Sequence, residues 1–394
     1  MRPLRGLLVL ALLLAAWPIK AQTPATASDY VDRGNARGKE GDLDGAIADY
    51  TKAIELDPQA AAAYFNRAVI RTKKGDLEGA SSDLNKTIEL DPKNAPAYYN
   101  RGLMRGSKGD LDGAIADYTK TVEVNPQDPM AYNNRCLARY NKGDFDGAIS
   151  DCNKVIEINP RHAYAHNNRG MARRRKGDLE GALADYAKAI ELDTRYAFPY
   201  ANRGNIRREK GDFASAIVDY SKAIEIDPTF AAAYYNRGLA RNQDHDAAIA
   251  DYTKAIQLNP RYADAYFARG VARSAKGDVQ GEISDYKKAI EVDPKDHSSY
   301  NNLAWLLATN SDDAIRNGKQ AVEYALKGCE LTNWQDPNSL DTLAAAHAEA
   351  GNFEEAIKWG NKALSFPDFA RQYGEEARQR LRLYGERKPY RDKP

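Results

Sequence analysis

The sequence has few cysteines and no excess of either charge. Three cysteines in 394 residues are too few for a disulfide-rich small fold. The 57 Lys and Arg are balanced by 56 Asp and Glu, whereas a nucleic-acid-binding surface needs a basic excess to neutralise phosphates. We therefore expect no nucleic-acid partner. The apolar fraction of 43% argues against disorder.

Long apolar runs are also scarce, and the one that occurs lies near residue 1. Arg2 and Arg5 precede an uninterrupted apolar stretch over residues 7–17, which Pro18 ends. This order is typical of a secretory signal peptide. The stretch is shorter than the roughly 20 apolar residues that cross a membrane. We predict a signal peptide over residues 1–21, an exported chain in the periplasm or outside the cell, and no transmembrane segment after cleavage; a membrane anchor is the alternative.

The sequence does contain a repeat. Gly-Asp recurs at residues 41, 75, 109, 143, 177 and 211, always 34 residues apart, and again at 277. Each repeat predicts two helices, because glycine ends the first and aspartate caps the second. The second helix carries apolar residues three and four positions apart and ends at Asp-Pro or Asn-Pro in most repeats. No segment alternates with the period of a strand, so the predicted fold class is all-α.

In this pattern the chain resembles the tetratricopeptide repeat family. The family motif has a large residue at position 4, Gly or Ala at 8, Ala at 20, an aromatic residue at 24, Ala at 27 and Pro at 32. The first repeat matches it with Tyr30, Gly34, Ala46, Tyr50, Ala53 and Pro58. Eight regular repeats, within residues 22–296, begin near 27, 61, 95, 129, 163, 197, 231 and 263.

Two divergent repeats follow over residues 297–368, and then a capping helix and a frayed polar tail over residues 369–394. The resemblance implies a right-handed superhelix, a solenoid of about ten helix pairs. Its first helices would line a concave groove that binds a protein or an extended peptide segment.

Two charged columns depart from the family motif. Arginine occupies positions 7 and 11 of all eight regular repeats, and aspartate occupies position 23. Both vanish in the divergent repeats, where position 7 is Leu303 or Leu343 and position 23 is Tyr324 or Trp359. This covariation predicts a charge-assisted contact between the two helices of a repeat. The alternative is that the arginines hold acidic ligands.

The groove positions predict a peptide-binding surface. Asparagine recurs at position 6, where its amide can donate to and accept from a peptide backbone, and apolar residues recur at positions 5 and 9. The predicted groove residues are Asn66, Asn100, Asn134, Asn168, Asn202, Asn236, Phe65, Tyr99, Leu103, Leu137, Met171, Tyr235, Phe267 and the basic Arg174 and Arg208. Two alternatives stay open: the asparagines merely tolerate a solvated helix face, and the aromatic residues pack against the neighbouring repeat.

Cys136 and Cys152 replace the usual glycine at position 8 and tyrosine at position 24 of the fourth repeat. Paired departures in an exported chain predict a disulfide, and two buried thiols are the alternative. His162 and His166 lie one helical turn apart, but no further ligands accompany them, so we predict no metal and no cofactor. Because phosphate loops and nucleophile motifs are also missing, we predict a protein that is not an enzyme.

The sequence therefore favours a non-catalytic scaffold or adaptor that binds partners in its groove. An obligate auxiliary subunit of an envelope enzyme or secretion complex is the alternative, with a docking surface at residues 303–305 and 340–345. The family's clamp for chaperone tails needs Lys at position 5 and Arg at position 6, and neither occurs here. Chaperone tails are therefore not the expected ligands.

Overall fold

The structure, a computed structural model, describes residues 26–392, which form 22 α-helices and no strand. The predicted signal peptide lies outside these residues. The chain divides between Pro160 and Arg161 into two compact blocks. The N-terminal block contains α1 (Ala27–Glu40), α2 (Leu43–Leu56), α3 (Ala61–Lys74), α4 (Leu77–Leu90), α5 (Ala95–Ser107), α6 (Leu111–Val124), α7 (Pro129–Lys142) and α8 (Phe145–Ile158).

The C-terminal block continues the pattern and ends on two unpaired helices. Its helices are α9 (Ala163–Arg175), α10 (Leu179–Leu192), α11 (Ala197–Glu209), α12 (Phe213–Ile226), α13 (Ala231–Ala240), α14 (His245–Leu258), α15 (Ala263–Ala275), α16 (Val279–Val292), α17 (His297–Thr309), α18 (Gly318–Leu331), α19 (Pro337–Glu349), α20 (Phe353–Leu364), α21 (Pro367–Gln372) and α22 (Gly374–Gly385). The predicted architecture of helix pairs is confirmed. No helix between residues 26 and 392 has both the length and the hydrophobicity to cross a bilayer.

Seven of the eight regular pairs are divided by the same turn, and only the seventh repeat lacks its glycine. Gly75 ends α3 with a φ of 83°, a left-handed conformation that glycine adopts without strain. Asp76 then caps α4 by accepting a hydrogen bond from the Gly79 N–H at 2.9 Å. Within each block, the two helices of a repeat pack together, and the second helix packs on the first helix of the next repeat.

Small residues and tyrosines fill the space between paired helices. Ala114, at position 20 of the third repeat, is fully buried. Tyr118 lies directly over Gly102, and a Cβ added to that glycine would be 2.7 Å from Tyr118 Cε1. In the second repeat position 8 is Ala68, and the residue facing it is the smaller Leu84. The residues at positions 8 and 24 therefore compensate for each other in size.

The end of the chain differs from the prediction in two respects. The capping region forms two helices, because the chain turns at Tyr373 and the buried Gly374 before α22 packs on α20. The segment predicted to be a frayed tail is held against α17. The Asp392 N–H donates to the Thr309 carbonyl oxygen at 2.8 Å, and the Asp392 carboxylate accepts from Trp305 Nε1 at 2.8 Å. These contacts join residues far apart in the chain, which the polarity of the tail does not reveal.

Candidate peptide-binding groove

The arginine and aspartate columns form one buried network in each regular repeat. In the third repeat Arg101 donates from Nε to Asp117 Oδ2 at 2.9 Å and from Nη2 to Oδ1 at 2.6 Å. Arg105, one helical turn later, donates from Nη1 to the same Oδ2 at 2.9 Å. Asp117 is only 2% exposed. The predicted pairing is confirmed, and arginines of both columns take part.

The position 7 arginine also links neighbouring repeats. Arg101 donates from Nη1 to Asn85 Oδ1 of the preceding repeat at 2.7 Å, and Arg135 donates to Thr119 Oγ1 at 3.0 Å. The Arg101 guanidinium carbon lies 5.6 Å from the ring centre of Tyr98, a cation–π distance. Much of the hydrogen-bonding capacity of this arginine is therefore used inside the fold.

The carboxylates of the network are all deeply buried. Their exposure is at most 3% for Asp49, Asp83, Asp117, Asp151, Asp185, Asp219, Asp251 and Asp285. Burial acts to raise the pKa of Asp185, but the neighbouring His166, Arg169 and Arg173 outweigh it and hold that pKa below its usual value. The network therefore connects the two helices of each repeat inside the fold and does not form a surface for acidic ligands.

All fifteen predicted groove residues lie on the first helices of their repeats. Phe65 and Asn66 are on α3, Tyr99, Asn100 and Leu103 on α5, Asn134 and Leu137 on α7, Asn168, Met171 and Arg174 on α9, Asn202 and Arg208 on α11, Tyr235 and Asn236 on α13, and Phe267 on α15.

The asparagine column connects successive first helices. Three members donate from Nδ2 at 2.9–3.0 Å to the preceding repeat: Asn66 to Asn35, Asn134 to Tyr99, and Asn202 to Asn167. Asn100 instead donates to the carbonyl oxygen of Pro96, in its own helix, at 2.9 Å. Each of these four asparagines thus uses one amide N–H within the protein. The second N–H and the amide oxygen remain to hydrogen-bond a ligand.

Aromatic and leucine side chains of the groove differ in exposure. The ring centres of Tyr99 and Tyr118 lie 6.0 Å apart, and those of Phe267 and Tyr286 lie 5.7 Å apart, so these aromatic residues pack within the fold. Leu103 is 41% exposed and Leu137 is 39% exposed. The leucines are therefore the better apolar anchors for a ligand.

Leu103 and Leu137 flank an open cavity of about 210 Å³ in the N-terminal block. Asn134 and Asn141 add polar groups to its wall, and Tyr118 also lines it. Asn141 is at position 13, which sequence reasoning missed. The spacing could have revealed it, because positions 9 and 13 lie one turn apart on the same helix face. The cavity combines apolar and amide groups on neighbouring first helices.

The predicted basic residues are partly engaged. Arg174 forms an ion pair with Glu209 of the following repeat, and the Arg208 guanidinium lies beside the Tyr220 hydroxyl. Arg173, next to Arg174, belongs to the buried network. The basic cluster therefore presents less free charge than its sequence suggests.

The C-terminal block carries an aromatic row that sequence reasoning missed. The ring centres of Tyr164 and Tyr196 are 4.6 Å apart, those of Tyr196 and Phe198 are 5.9 Å apart, and those of Phe198 and Phe230 are 5.0 Å apart. Tyr164 and Phe198 are each 53% exposed. The signal lay at positions 34 and 2, which become aromatic only in this stretch of repeats. Tyr196 and Phe230 are half-buried between them. A row of partly exposed rings is typical of interaction surfaces.

A larger cavity, of about 740 Å³, lies among repeats eight to ten of the C-terminal block. Its lining includes Glu282, Trp305, Asp341 and Arg380. Glu282 stands at position 20, where the other seven regular repeats have alanine, and it is 6% exposed. Burial raises the pKa of the Glu282 carboxyl. The break in the alanine column was the sequence signal for this site.

Cys136 and Cys152 form a disulfide between α7 and α8, with their Cα atoms 5.8 Å apart. Cys329 is free and buried, and burial raises the pKa of its thiol to about 12. A thiol with that pKa stays protonated at neutral pH. Between residues 26 and 392, no group of three or more His, Cys, Asp or Glu side chains could hold a metal ion.

The stacked helix pairs and their lined face define a helical repeat protein of the protein-binding class. Family models described as tetratricopeptide repeat match residues 95–128, 129–162, 163–196, 263–296 and 285–321. A model described as TPR repeat matches residues 34–75, 70–106, 204–243 and 241–277. The chain belongs to the tetratricopeptide repeat family, whose members are generally non-catalytic.

The chain is similar to several solved structures. A tetratricopeptide repeat protein from Parabacteroides merdae ATCC 43184 is 20% identical, with a TM-score of 0.51 over 62% of this chain and 98% of that chain. MamA protein is 28% identical over 43% of this chain and 93% of that chain, with a TM-score of 0.41. YrrB, described as a TPR protein with an unusual peptide-binding site, is 26% identical over 47% and 95%, with a TM-score of 0.42. No curated protein sequence matches the chain.

Proposed function

We propose that this protein is a non-catalytic scaffold or adaptor that binds an extended segment of a partner protein along its first helices. The observation that carries the proposal is the cavity between Leu103 and Leu137, into whose wall Asn134 and Asn141 bring amides. Partly exposed leucines can anchor apolar side chains of a ligand. The amides can hydrogen-bond its backbone without reading its sequence.

A second cavity in the same block indicates the charge of the ligand. It measures about 470 Å³ and is lined by Asn35 and Asn66 together with Lys39 and Lys73. Both lysines are exposed and attract acidic groups. The proposed ligand is therefore an extended peptide with apolar and acidic side chains.

A displayed library of random peptides tests this proposal on the full chain. We expect the protein to select peptides with apolar and acidic residues, and the variant Leu103→Glu/Leu137→Glu to lose them. The glutamates would place charge where apolar anchors bind and would repel acidic side chains. The control is Leu56→Glu, because Leu56 is 50% exposed but lies on the second helix α2.

The control variant should retain the selected peptides with unchanged affinity. If the double variant still bound them as tightly as the wild type, the groove would not be the binding site. Circular dichroism of all three proteins establishes that the leucine changes leave the helices folded.

We also propose that the protein works outside the cytoplasm after removal of residues 1–21. The residue pattern of that segment supports export. The disulfide between Cys136 and Cys152 also supports it, because disulfides form and persist in oxidising compartments. N-terminal sequencing of protein from the exported fraction should start near residue 22. Recovery of the chain only from the cytoplasm, with Met1 retained, would refute export.

A further inference from the structure

Residues 390–392 lie against the first helices of repeats nine and ten in the manner of a bound peptide. The Asp392 N–H donates to the Thr309 carbonyl oxygen at 2.8 Å. The Asp392 carboxylate accepts from Trp305 Nε1 at 2.8 Å and from Thr309 Oγ1 at 2.6 Å. Backbone and side chain of one residue are thus bound together, as in a specific peptide complex.

Tyr390 occupies the neighbouring place. Its ring centre lies 6.0 Å from that of Trp305, and the Arg380 guanidinium carbon lies 5.6 Å from the Tyr390 ring and 5.4 Å from the Trp305 ring. Arg380 is held by Asp341, with Nη2 2.7 Å from Oδ2, and is 7% exposed. The Tyr390 ring therefore packs on Trp305 and on an Arg380 guanidinium that Asp341 already holds in position.

A third contact lies between these two. Arg391 pairs with Glu349 of α19 at 2.6 Å. Tyr390 and Asp392 thus contact Trp305, whereas Arg391 between them contacts Glu349. This alternation fits an extended segment, in which successive side chains point to opposite sides.

The residues of α17 that hold the segment belong to the groove columns, as does Asp341, which holds Arg380 of α22 in place. Trp305 and Thr309 are at positions 9 and 13 of repeat nine, and Asp341 is at position 5 of repeat ten. Positions 9 and 13 also line the cavity beside Leu103 and Asn141 in the N-terminal block. The segment therefore occupies the place that a groove ligand would take.

We infer that repeats nine and ten form a binding site for an extended segment with an aromatic residue two positions before an acidic one, and that residues 390–392 fill it in cis. A partner segment with the same pattern binds by displacing them. The site uses different residues from the N-terminal groove, so the inference does not rest on the proposed function.

Because residues 390–392 are covalently connected to α22, they compete with any free peptide for this site. A short flexible connection gives a bound segment an effective concentration in the millimolar range. A free peptide of the same sequence must compete with that concentration, so its apparent affinity falls by the fraction of molecules with the site open. Weakening the contacts in cis should therefore strengthen binding in trans.

The test uses full-length Tyr390→Ala and Asp392→Ala variants and a fluorescein-labelled peptide of residues 386–392. Fluorescence anisotropy should show the peptide binding each variant at least tenfold more tightly than the wild type. The matched control is Lys388→Ala, because the Lys388 side chain is 65% exposed and pairs only with nearby Glu386. A peptide with alanine in place of both Tyr390 and Asp392 should bind none of the proteins.

The indole N–H resonance of Trp305 gives a second readout. It should shift in Asp392→Ala, which removes its acceptor, and return toward the wild-type position when the peptide saturates the site. Equal binding of the peptide to the wild type and both variants would overturn the inference, as would absence of binding to either variant. These outcomes leave the library selection at Leu103 and Leu137 unaffected, so failure of one proposal is distinguishable from failure of the other.

Discussion

Arg101 and Asp117 form a two-pronged ion pair that joins the two helices of the third repeat, with N–O distances of 2.9 and 2.6 Å. The Arg101 side chain is 16% exposed and the Asp117 side chain 3%. A buried pair of this kind adds little net stability over apolar packing, but loss of one partner leaves the other charge buried and uncompensated. The pair therefore acts mainly as a constraint on helix packing.

Replacement of Asp117 by alanine should strongly destabilise the protein. We expect the free energy of unfolding to fall by about 3 kcal/mol, because Arg101 and Arg105 would both lose their buried counter-charge. Urea unfolding followed by circular dichroism measures the change. Asp112→Ala is the control, since Asp112 is exposed on the same helix, and unchanged stability of Asp117→Ala would remove the structural role of the column.

The contact between repeats can be tested at Thr119. The variant Thr119→Val keeps the shape of the side chain but removes the hydroxyl that accepts from Arg135 Nη1 at 3.0 Å. Hydrogen bonds to charged groups contribute about 1.5–3 kcal/mol, and we expect a loss near the lower end because the site is partly solvated.

The repeat with an alanine at this position provides a matched control. Ala187 occupies position 25 before Arg203, so that repeat has no hydroxyl to lose. Ala187→Val should change stability only by the few tenths of a kcal/mol expected from helix propensity. Equal losses in the two valine variants would show that the Thr119 hydroxyl contributes nothing to the coupling between repeats.

Positions 8 and 24 should tolerate only matched pairs. The single variant Cys152→Tyr should lose about 1–3 kcal/mol of stability through overpacking against Cys136. In the third repeat, a Cβ added at position 8 would lie 2.7 Å from the tyrosine ring. The double variant Cys136→Gly/Cys152→Tyr should avoid that clash and lose only the roughly 3 kcal/mol of the disulfide.

A second matched pair serves as the control for this experiment. Cys136→Ala/Cys152→Leu copies the second repeat, where Ala68 faces Leu84, and it should resemble the glycine and tyrosine variant in thermal midpoint. If Cys152→Tyr alone melted at the same temperature as the double variants, size compensation between the two positions would be wrong.

Local signals made most of the fold predictable. Gly75 and Asp76 mark a helix boundary by their own conformational preferences, and the same turn recurs at fixed spacing. The Arg101–Asp117 contact was predictable for another reason: both columns disappear in the same repeats. Sequence reasoning could not decide whether one arginine or both would bind the aspartate, because positions 7 and 11 share a helix face.

Contacts without a local or repeated signal were missed. The Trp305–Asp392 hydrogen bond joins residues 87 positions apart and occurs once. The donation of Asn134 to Tyr99 depends on how two helices are offset, which the asparagine column alone does not specify. The repeat pattern predicted which residues lie in the groove. It did not predict these hydrogen bonds, which depend on contacts between residues far apart in the sequence.

The buried carboxyl of Glu282 gives a pH-dependent prediction. Burial raises its pKa above the ordinary value of 4.5, and the negative charge of Asp278 adds to that effect. The native protein thus binds this proton more tightly than the unfolded chain does. The contribution of Glu282 to stability is fully present below pH 4.5 and is lost as pH rises through the native pKa. Glutamine at this position cannot ionise and should avoid that loss.

We therefore expect Glu282→Gln to be more stable than the wild type at pH 7, with the difference shrinking as pH falls toward 4. Urea midpoints measured from pH 4 to 7 give the comparison, and carboxyl groups common to both proteins cancel. Glu323→Gln, an exposed change on α18, should show no such trend. A difference that stayed constant would mean that the pKa of Glu282 is the same in the native and unfolded states. A difference that grew as pH fell would mean that the native protein stabilises the charged form of Glu282, so that the cavity of repeats eight to ten supplies a counter-charge to this carboxylate.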